Sequence, residues 1–390
     1  MSLMSIATKQ VFSNKAKTSF LRCFSHNFGT ATLLNPEIKS VTISGTMNRG
    51  QQTKTFNDTY VALDNLKLQD CQTVLKDEVI AVIGNGPQGY GQGENLRDSG
   101  YNVIRGVRWD GPSWNKAVKD GWIPGKNLFD IEEAASKGSI IQYLLSDEAQ
   151  KSCWSLIAPH LNENDTLYFS HGLNYVFVDE IQAPDNVDVV MIAPKGPGFL
   201  VRENYLLGNK GINASFAVEQ DSSGKALEKV YALAYGIGSK NLFETTFKKE
   251  VYSDLFGESC VLMGMKAAAY DAQSDVLLER GHGPIEAFCE TVEEDTQSLS
   301  PLVGRNGMAH MFQNCSKTAQ IGANHWRKQF YPEIRAKMEE CYKGILEGEH
   351  VDRVFSFDDS QESKKQMAEE LDDMEESVLW KTGELVRSLR

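Results

Sequence analysis

Disulfide signals, long hydrophobic runs and repeats are all missing from this 390-residue chain. Its seven cysteines are scattered without a C-x-x-C pair, which is typical of reduced thiols in an intracellular compartment. The longest apolar runs, such as VVMIA, have the length of a strand, so no membrane-spanning segment is predicted. The formal net charge of −13 argues against nucleic acid as the main partner. The hydrophobic content of 41% is that of a globular protein with sizeable cores.

Acidic residues are also absent from the first 36 positions, since Glu37 is the first carboxylate. Serine, threonine, alanine and phenylalanine fill this segment together with four basic residues, Lys9, Lys15, Lys17 and Arg22. Such a basic, acid-free start predicts a transit peptide over residues 1–36, for a mitochondrion or alternatively a plastid. A disordered basic tail is the other interpretation.

The stretch from Val82 to Arg108 places an apolar strand, a glycine-rich turn, a helix-compatible run and a second strand in succession. The turn residues are Gly84, Asn85, Gly86, Pro87, Gln88 and Gly89. In this context G-x-G-x-x-G predicts a dinucleotide site, because glycines let the backbone approach a pyrophosphate at a helix N-terminus. The second strand ends at Arg108, with Ser113 nearby and no carboxylate before Asp110, which favours NADPH over NADH.

Short apolar runs alternate with amphipathic stretches as far as residue 247, which predicts an α/β fold with a doubly wound, parallel, Rossmann-like sheet. The predicted strands cover 79–84, 102–107, 139–145, 166–172, 188–194, 212–218 and 241–246, and helices are predicted over 148–160 and 224–237. Helical patterns over 252–279, 284–299, 324–347 and 360–390 then predict an all-helical part, with a break at Gly304–Gly307. We therefore predict an α/β domain over 37–247 and a helical domain over 248–390.

Two pairs of carboxylates stand out in the helical part, Asp254 with Glu258 and Glu290 with Glu294. A spacing of four residues puts both members of a pair on one helix face, where a divalent cation such as Mg²⁺ relieves their repulsion. Solvated helix faces also carry such pairs, so a surface role is the alternative. Glu293 and Asp295 compete with the second pair.

Further candidates lie at the ends of predicted strands, where open α/β sheets bind ligands. His171 follows TLYFS, and Lys195 lies in a Pro-Lys-Gly-Pro-Gly turn that ends at Gly198. His171 is either a site residue or a structural histidine, and Lys195 either faces the cofactor cleft or is a loop lysine. Asp147 is either a cofactor contact or an acid in the first turn of a helix.

Together these motifs resemble ketol-acid reductoisomerase (acetohydroxy acid isomeroreductase), most closely its fungal mitochondrial form. The resemblance covers residues 79–390 through the strings GNGPQGYGQGENLRDSG, GVRWDGPSW, DGWIPGKNLF, LYFSHG, APKGPG, SDLFGE, ETVEEDTQSL and LVRSLR. It implies conversion of 2-acetolactate or 2-aceto-2-hydroxybutyrate into a 2,3-dihydroxy acid by alkyl migration and reduction. This step belongs to branched-chain amino-acid biosynthesis and uses NADPH and two Mg²⁺ ions.

The resemblance also implies roles for individual residues. Asp254 bridges both metals, Glu258 completes one, Glu290 binds the other, and Glu294 carries a proton to and from substrate oxygen. Ser316 holds the substrate carboxylate, while His171 and Lys195 are catalytic residues beside the nicotinamide and the substrate. The implied cofactor contacts are Gly84, Gly86, Gln88, Gly89, Arg108, Ser113, Asp147, His171 and Gly198. A single-copy helical domain implies a knotted fold and a homodimer, or a larger assembly, whose active sites are shared between chains.

The chain departs from the family pattern at several positions. Asn85 replaces the usual aromatic residue, Pro87 removes an N–H from the turn, and Trp109 stands where a basic residue is common. Cys315 competes with Ser316 for the substrate position. Two other functions remain open: a metal-free NADP-dependent hydroxy-acid dehydrogenase, and a catalytically inactive NADPH-binding protein with a structural or DNA-packaging role.

Overall fold

Among the residues that the computed structural model describes between 37 and 244, ten strands and eight α-helices form the first part of the protein. The strands are β1 (Glu37–Met47), β2 (Gln52–Ala62), β3 (Ile80–Ile83), β4 (Val103–Gly106), β5 (Leu128–Phe129), β6 (Ile140–Tyr143), β7 (Thr166–Phe169), β8 (Asp188–Pro194), β9 (Ala214–Gln220) and β10 (Asn241–Glu244). The helices are α1 (Leu68–Val74), α2 (Pro87–Asp98), α3 (Pro112–Lys119), α4 (Ile131–Lys137), α5 (Asp147–Ile157), α6 (Leu173–Phe177), α7 (Gly198–Leu206) and α8 (Ala226–Ile237).

The structure describes residues 33–47, 50, 52–208, 211–357 and 360–390. The predicted transit peptide over residues 1–36 therefore lies outside the described residues except at 33–36. Within the described ranges, no helix has both the length and the apolar character needed to cross a membrane.

All ten strands form one sheet in the order β1-β2-β10-β9-β8-β7-β6-β3-β4-β5. Its centre, β5-β4-β3-β6-β7-β8, is parallel throughout and has the strand order of a Rossmann fold. The strand β3 alternates between two cores, with Ile80 and Val82 packed on one face of the sheet and Ala81 and Ile83 on the other. Burial on both faces explains why these strands read as continuous apolar runs. The predicted Rossmann-like fold is confirmed.

Two of the predicted strands depart from the predicted parallel sheet, because β9 runs antiparallel to β8 and β10 runs parallel to β9. Pro194, the last residue of β8, pairs with Ala214, the first residue of β9. Between them α7 packs on α2, so the chain does not return to the opposite edge of the sheet before β9 begins. The strands β8 and β9 must therefore run in opposite directions. The hairpin of β1 and β2 was not predicted, and its strands pair antiparallel over their whole length.

The second part of the chain is helical, as the sequence predicts. Its helices are α9 (Phe247–Gly257), α10 (Gly264–Glu279), α11 (Pro284–Phe288), α12 (Ser300–Asn306), α13 (Met308–Gln313), α14 (Lys317–Leu346), α15 (Glu349–Ser356), α16 (Gln361–Glu376) and α17 (Val378–Ser388). The break between α12 and α13 falls at Gly307, whose φ of 86° suits glycine.

The carboxylate pairs lie on or beside π-helical turns, which the sequence did not predict. These turns cover Glu258–Leu262, Cys289–Glu293 and Asp295–Leu299. The first interrupts the predicted helix 252–279, which resumes as α10 at Gly264, because Cys260 leaves helical geometry with φ −97° and ψ −108°. Such wide turns occur often at functional sites.

A buried carboxylate, Asp188, ties the amino end of β8 to the start of α8. Its Oδ1 accepts hydrogen bonds from the backbone N–H groups of Ser222 and Ser223, both at 2.9 Å. Its Oδ2 lies 3.2 Å from the ammonium group of Lys229, whose side chain is only 6% exposed. Burial opposes ionisation of Asp188, but these partners outweigh it and hold its pKa below the usual range.

Replacing Asp188 with asparagine is expected to lower the free energy of unfolding by about 3 kcal/mol, because the buried Lys229 loses its nearer carboxylate and keeps only Glu78 at 3.5 Å. Since the folded pKa of Asp188 is lowered, its stabilisation is complete above about pH 4 and is lost as the pH falls. Urea unfolding at several pH values should show that the difference in free energy of unfolding between the wild type and Asp188→Asn becomes smaller in acid. Asp185→Asn, at an exposed position, is the control, and an equal loss in both variants would contradict the role of Asp188.

Candidate active site

The glycine-rich turn joins β3 to α2 and has no room for side chains on its inner side. Gly84 has a φ of +112°, and a Cβ there would lie 2.5 Å from the carbonyl oxygen of Leu144. A Cβ on Gly89 would lie 2.7 Å from the carbonyl oxygen of Gly84. Gly86 faces open space instead, and it precedes Pro87, the first residue of α2. A first-turn position does not need its N–H within the helix, so Pro87 suits the start of α2.

A second turn, between β8 and α7, packs directly against the glycine-rich turn. The amide of Gln88 donates to the carbonyl of Gly196 at 3.0 Å. A Cβ on Gly198 would lie 1.9 Å from the carbonyl oxygen of Pro87, so only glycine allows this approach. The structure thereby places Lys195, within this second turn, beside the predicted pyrophosphate site.

Arg108 and Ser113 lie beyond the carboxyl end of β4, and both are exposed. Trp109, between them in sequence, donates its backbone N–H to Asp130 at 2.9 Å. Its ring contacts that of Trp114, with 4.3 Å between the ring centroids. The indole of Trp109 is thus held against α3, and the ends of Arg108 and Ser113 stay open to a ligand.

Four charged side chains converge where β7 and β8 end. The Lys195 ammonium lies 2.6 Å from a carboxylate oxygen of Glu250 and 3.5 Å from one of Asp254. The Nδ1 atom of His171 lies 3.3 Å from Asp254 and 3.5 Å from Glu250. These distances define an alternating arrangement of two cations and two carboxylates, which we call the charged cluster.

The charged cluster shifts the pKa values of its members. Burial disfavours the charged form of His171, but Asp254 and Glu250 outweigh it and raise its pKa to about 10. Burial also acts on Asp254, yet His171 and Lys195 hold the pKa of that carboxyl below its usual range. Desolvation and the neighbouring Asp254 raise the pKa of Glu258, and desolvation raises that of Asp147. Perturbed groups gathered at a strand edge are typical of an active site.

A small apolar core holds α9 in place beneath the charged cluster. Leu173, which follows His171 by two residues, packs with Val251 and Leu255 of α9. This contact fixes the face of α9 that carries Glu250 and Asp254 toward the ends of β7 and β8. Glu250 itself, only 2% exposed, was not predicted from the sequence. The signal was present, because Glu250, Asp254 and Glu258 continue a spacing of four residues by one turn.

The second carboxylate pair does not join the charged cluster within one chain. Among the described residues, one group of metal-ligand side chains comes together, and it consists of His171, Glu250 and Asp254. The neighbouring acids Glu293 and Asp295 differ from Glu290 and Glu294 because they already have partners. Glu293 pairs with Arg390, and Asp295 accepts hydrogen bonds from Ser300 at 2.6 Å and from Tyr270. Glu290 and Glu294 are exposed and have no ion-pair partner among the described residues.

Ser316 and Cys315 differ clearly in their surroundings. Ser316 is the exposed N-cap of α14, where its hydroxyl accepts from the backbone N–H of Ala319 at 3.1 Å. The Cys315 thiol, which is half-buried, contacts the sulfur of Met311 at 3.9 Å. Ser316 therefore presents its hydroxyl at the surface, whereas the thiol of Cys315 is partly covered.

The donor set around Asp254 suits a hard divalent cation. Asp254 and Glu258 lie one turn apart at the end of α9, and carboxylate oxygens are the ligands that Mg²⁺ prefers. The buried Oε2 of Glu250 accepts no hydrogen bond from the described residues. The Nδ1 atom of His171 lies 3.5 Å from this oxygen, so His171 is a cationic neighbour of it among the described residues.

A glycine-rich turn in Rossmann topology, packed against the turn that carries Lys195 of the charged cluster, is typical of a dinucleotide-dependent oxidoreductase. Two family models match consecutive parts of this chain. "Acetohydroxy acid isomeroreductase, NADPH-binding domain" matches residues 74–242, and "Ketol-acid reductoisomerase, C-terminal domain" matches residues 247–390. The chain belongs to the ketol-acid reductoisomerase family, as the sequence motifs predicted.

Individual relatives agree with this family. The chain is 49% identical over 317 residues to the mitochondrial ketol-acid reductoisomerase of Neurospora crassa, covering 81% of this chain and 79% of that one. It is 47% identical to the ketol-acid reductoisomerase (NAD(+)) of Desulfosudis oleivorans, covering 85% and 94% of the two chains. A solved structure of an NADH-preferring ketol-acid reductoisomerase from an uncultured archaeon superposes with a TM-score of 0.76 at 33% identity, covering 85% of this chain and 99% of that one.

Proposed function

We propose that this enzyme converts 2-acetolactate or 2-aceto-2-hydroxybutyrate into the corresponding 2,3-dihydroxy acid, with NADPH and two Mg²⁺ ions, in branched-chain amino-acid biosynthesis. The observation that carries the proposal is the charged cluster at the ends of β7 and β8. Lys195 of this cluster lies in the turn that packs on the glycine-rich turn through the Gln88–Gly196 contact. Lys195 also contacts Glu250 and Asp254 of α9, and Glu258 follows at the end of that helix.

NADPH is proposed over NADH because Arg108 and Ser113 lie open at the end of β4, where a 2′-phosphate is recognised. The family model for residues 74–242 is described as NADPH-binding, which supports this choice. Relatives named for NAD(+) or NADH make the opposite preference a real alternative. The proposed pyrophosphate site is formed by Gly84, Gly86, Gln88, Gly89 and Gly198. Asp147 and His171 are proposed to lie near the nicotinamide of the cofactor.

Asp254, Glu258, Glu290 and Glu294 are proposed to hold the two Mg²⁺ ions. Bound Mg²⁺ polarises a carbonyl and an adjacent hydroxyl, which favours the alkyl shift. Glu294, a carboxylate without an ion-pair partner in the described residues, accepts the hydroxyl proton and returns it to oxygen after reduction. Lys195, fixed by Glu250 and Asp254, supplies positive charge where negative charge develops on the substrate.

The assembly is proposed to be a homodimer, or a larger homo-oligomer, with each active site shared between chains. Glu290 and Glu294 do not belong to the group around Asp254 in one chain, although the proposed chemistry requires all of them. The helix α14 has 30 residues, of which two, Gly344 and Ile345, are buried. Four of its large apolar side chains are more than half exposed, which is typical of an interface: Ile321, Trp326, Phe330 and Leu346. Ser316, at the start of α14, then meets substrate held by the partner.

The two-domain division at residue 247 and the mitochondrial location complete the proposal. The family models meet between residues 242 and 247, where α9 begins, which supports domains over 37–247 and 248–390. The Neurospora crassa relative is named mitochondrial, and the basic, acid-free segment over residues 1–36 is typical of a transit peptide.

Oxidation of NADPH at about 340 nm with racemic 2-acetolactate tests the reaction. Protein without residues 1–36 is expected to oxidise NADPH only when both 2-acetolactate and Mg²⁺ are present, because the alkyl shift needs the metal and precedes reduction. Turnover of a 2-hydroxy or 3-hydroxy acid with NADP⁺ in the presence of a chelator would instead identify the metal-free dehydrogenase. NADPH binding without any turnover would favour a non-catalytic protein.

A further inference from the structure

A buried guanidinium lies directly beneath the glycine-rich turn. Arg105, in the middle of β4, is completely buried. Its Nη1 donates to the carbonyl oxygens of Gly84 at 3.1 Å and Gly89 at 3.2 Å, at the two ends of the turn. A Cβ on Gly93 would lie 2.3 Å from Nη2, so α2 leaves space for this group at that glycine. Because C=O and N–H point in opposite directions across a trans peptide, holding the Gly84 carbonyl inward turns the next N–H outward.

The charge of Arg105 is balanced by Glu94 of α2, which is 3% exposed. Nη2 of Arg105 lies 3.5 Å from Glu94, and the Trp122 indole donates to the same carboxylate at 2.6 Å. Arg97 approaches Glu94 from the solvent side. Burial lowers the pKa of Arg105 to about 10, so the guanidinium remains charged at neutral pH and Glu94 serves as its counter-ion.

Asn85 connects this buried cation to the loop proposed to hold the 2′-phosphate. Its Oδ1 accepts from Arg105 Nη1 at 2.6 Å, and its Nδ2 donates to the backbone carbonyl of Ser113 at 3.2 Å. The Asn85 side chain is only 8% exposed, so it lies under the turn and does not project toward a ligand. The residue that departs from the family pattern thus has a specific structural partner on each side.

We infer that Arg105 and Asn85 are positioning residues for the dinucleotide, and that Asn85 determines specificity by fixing the backbone of Ser113 for a 2′-phosphate. Arg105 supports the pyrophosphate turn, which every dinucleotide uses. Asn85 extends this support to the β4–α3 loop, which only a 2′-phosphorylated cofactor needs. The inference rests on the proposed use of NADPH, and it assigns roles to two buried residues that do not themselves touch the cofactor.

Binding of NADPH and NADH to the protein without Mg²⁺ or substrate tests this inference through the fluorescence of the reduced nicotinamide. Asn85→Ala is expected to raise the Kd for NADPH about tenfold and that for NADH less than about threefold, because one positioning hydrogen bond is lost. Arg105→Lys is expected to raise both Kd values about tenfold, since a single ammonium cannot bridge the turn and Glu94 together.

Arg97→Gln is the matched control, because it removes a cation from Glu94 without touching the turn, and it should leave both Kd values unchanged. Equal effects of Asn85→Ala on NADPH and NADH, or no effect on either, would overturn the role in specificity. A melting temperature near that of the wild type shows that each variant is folded. The NADPH–NADH difference in Asn85→Ala can appear even if 2-acetolactate is not turned over, so this inference and the proposed reaction fail by different measurements.

Discussion

Asp254→Asn is expected to lower turnover of 2-acetolactate by about 10³-fold or more, because a neutral amide cannot hold the proposed metals. The substitution keeps the shape of the side chain, but it removes the charge that faces His171 at 3.3 Å and Lys195 at 3.5 Å. Binding of NADPH should change little, since Asp254 lies on α9 and the glycine-rich turn lies between β3 and α2. The two quantities are measured by NADPH oxidation with Mg²⁺ and by nicotinamide fluorescence.

Asp275→Asn provides the control, because Asp275 is an exposed carboxylate on the neighbouring α10. It should retain wild-type turnover and wild-type dependence on Mg²⁺ concentration. If Asp254→Asn keeps more than about a tenth of wild-type turnover at saturating Mg²⁺, Asp254 is not a bridging ligand of the metals.

Mixing two inactive variants is expected to restore activity. If Asp254 comes from one chain of a dimer and Glu290 from its partner, an Asp254→Asn chain paired with a Glu290→Gln chain has one doubly altered site and one intact site. Random pairing of equal amounts makes about half of the dimers mixed, so about one quarter of all sites are intact. Co-expression of the two variants followed by measurement of NADPH oxidation should therefore give about a quarter of wild-type turnover.

The matched experiment co-expresses Asp254→Asn with Glu258→Gln. Both residues come from the end of α9, so every site in a mixed dimer keeps one altered residue and no activity should return. Restoration in neither mixture would place all the ligands in one chain. Restoration in both would show that the variants were not individually inactive.

Much of this architecture could be predicted from the sequence because it depends on local patterns. The buried strands β3, β4, β6, β7 and β8 read as apolar runs, and the glycine-rich turn is marked by residues that only its geometry requires. His171 and Lys195 were predicted as candidates because they follow strands at the carboxyl edge of the sheet. The structure brings them together through Asp254 and Glu250.

Other features depend on contacts that no local pattern records. The direction of β9 follows from the packing of α7 on α2, not from the residues of β9 itself. Glu250 was not predicted, because its importance follows from its contacts with Lys195 and His171 at the ends of β8 and β7. The carboxylates Glu290 and Glu294 were selected by resemblance. The structure distinguishes them from Glu293 and Asp295 by their contacts. Glu293 pairs with Arg390, and Asp295 accepts hydrogen bonds from Tyr270 and Ser300.

The contact between Gly198 and Pro87 has a consequence for the energetics of cofactor binding. The two turns proposed to line the pyrophosphate site are already packed together, with a hydrogen bond from Gln88 to Gly196 between them. The conformational entropy of ordering them is lost when the chain folds and not when the cofactor arrives. More of the interaction free energy therefore remains as affinity, and the cleft is preorganised for its ligand.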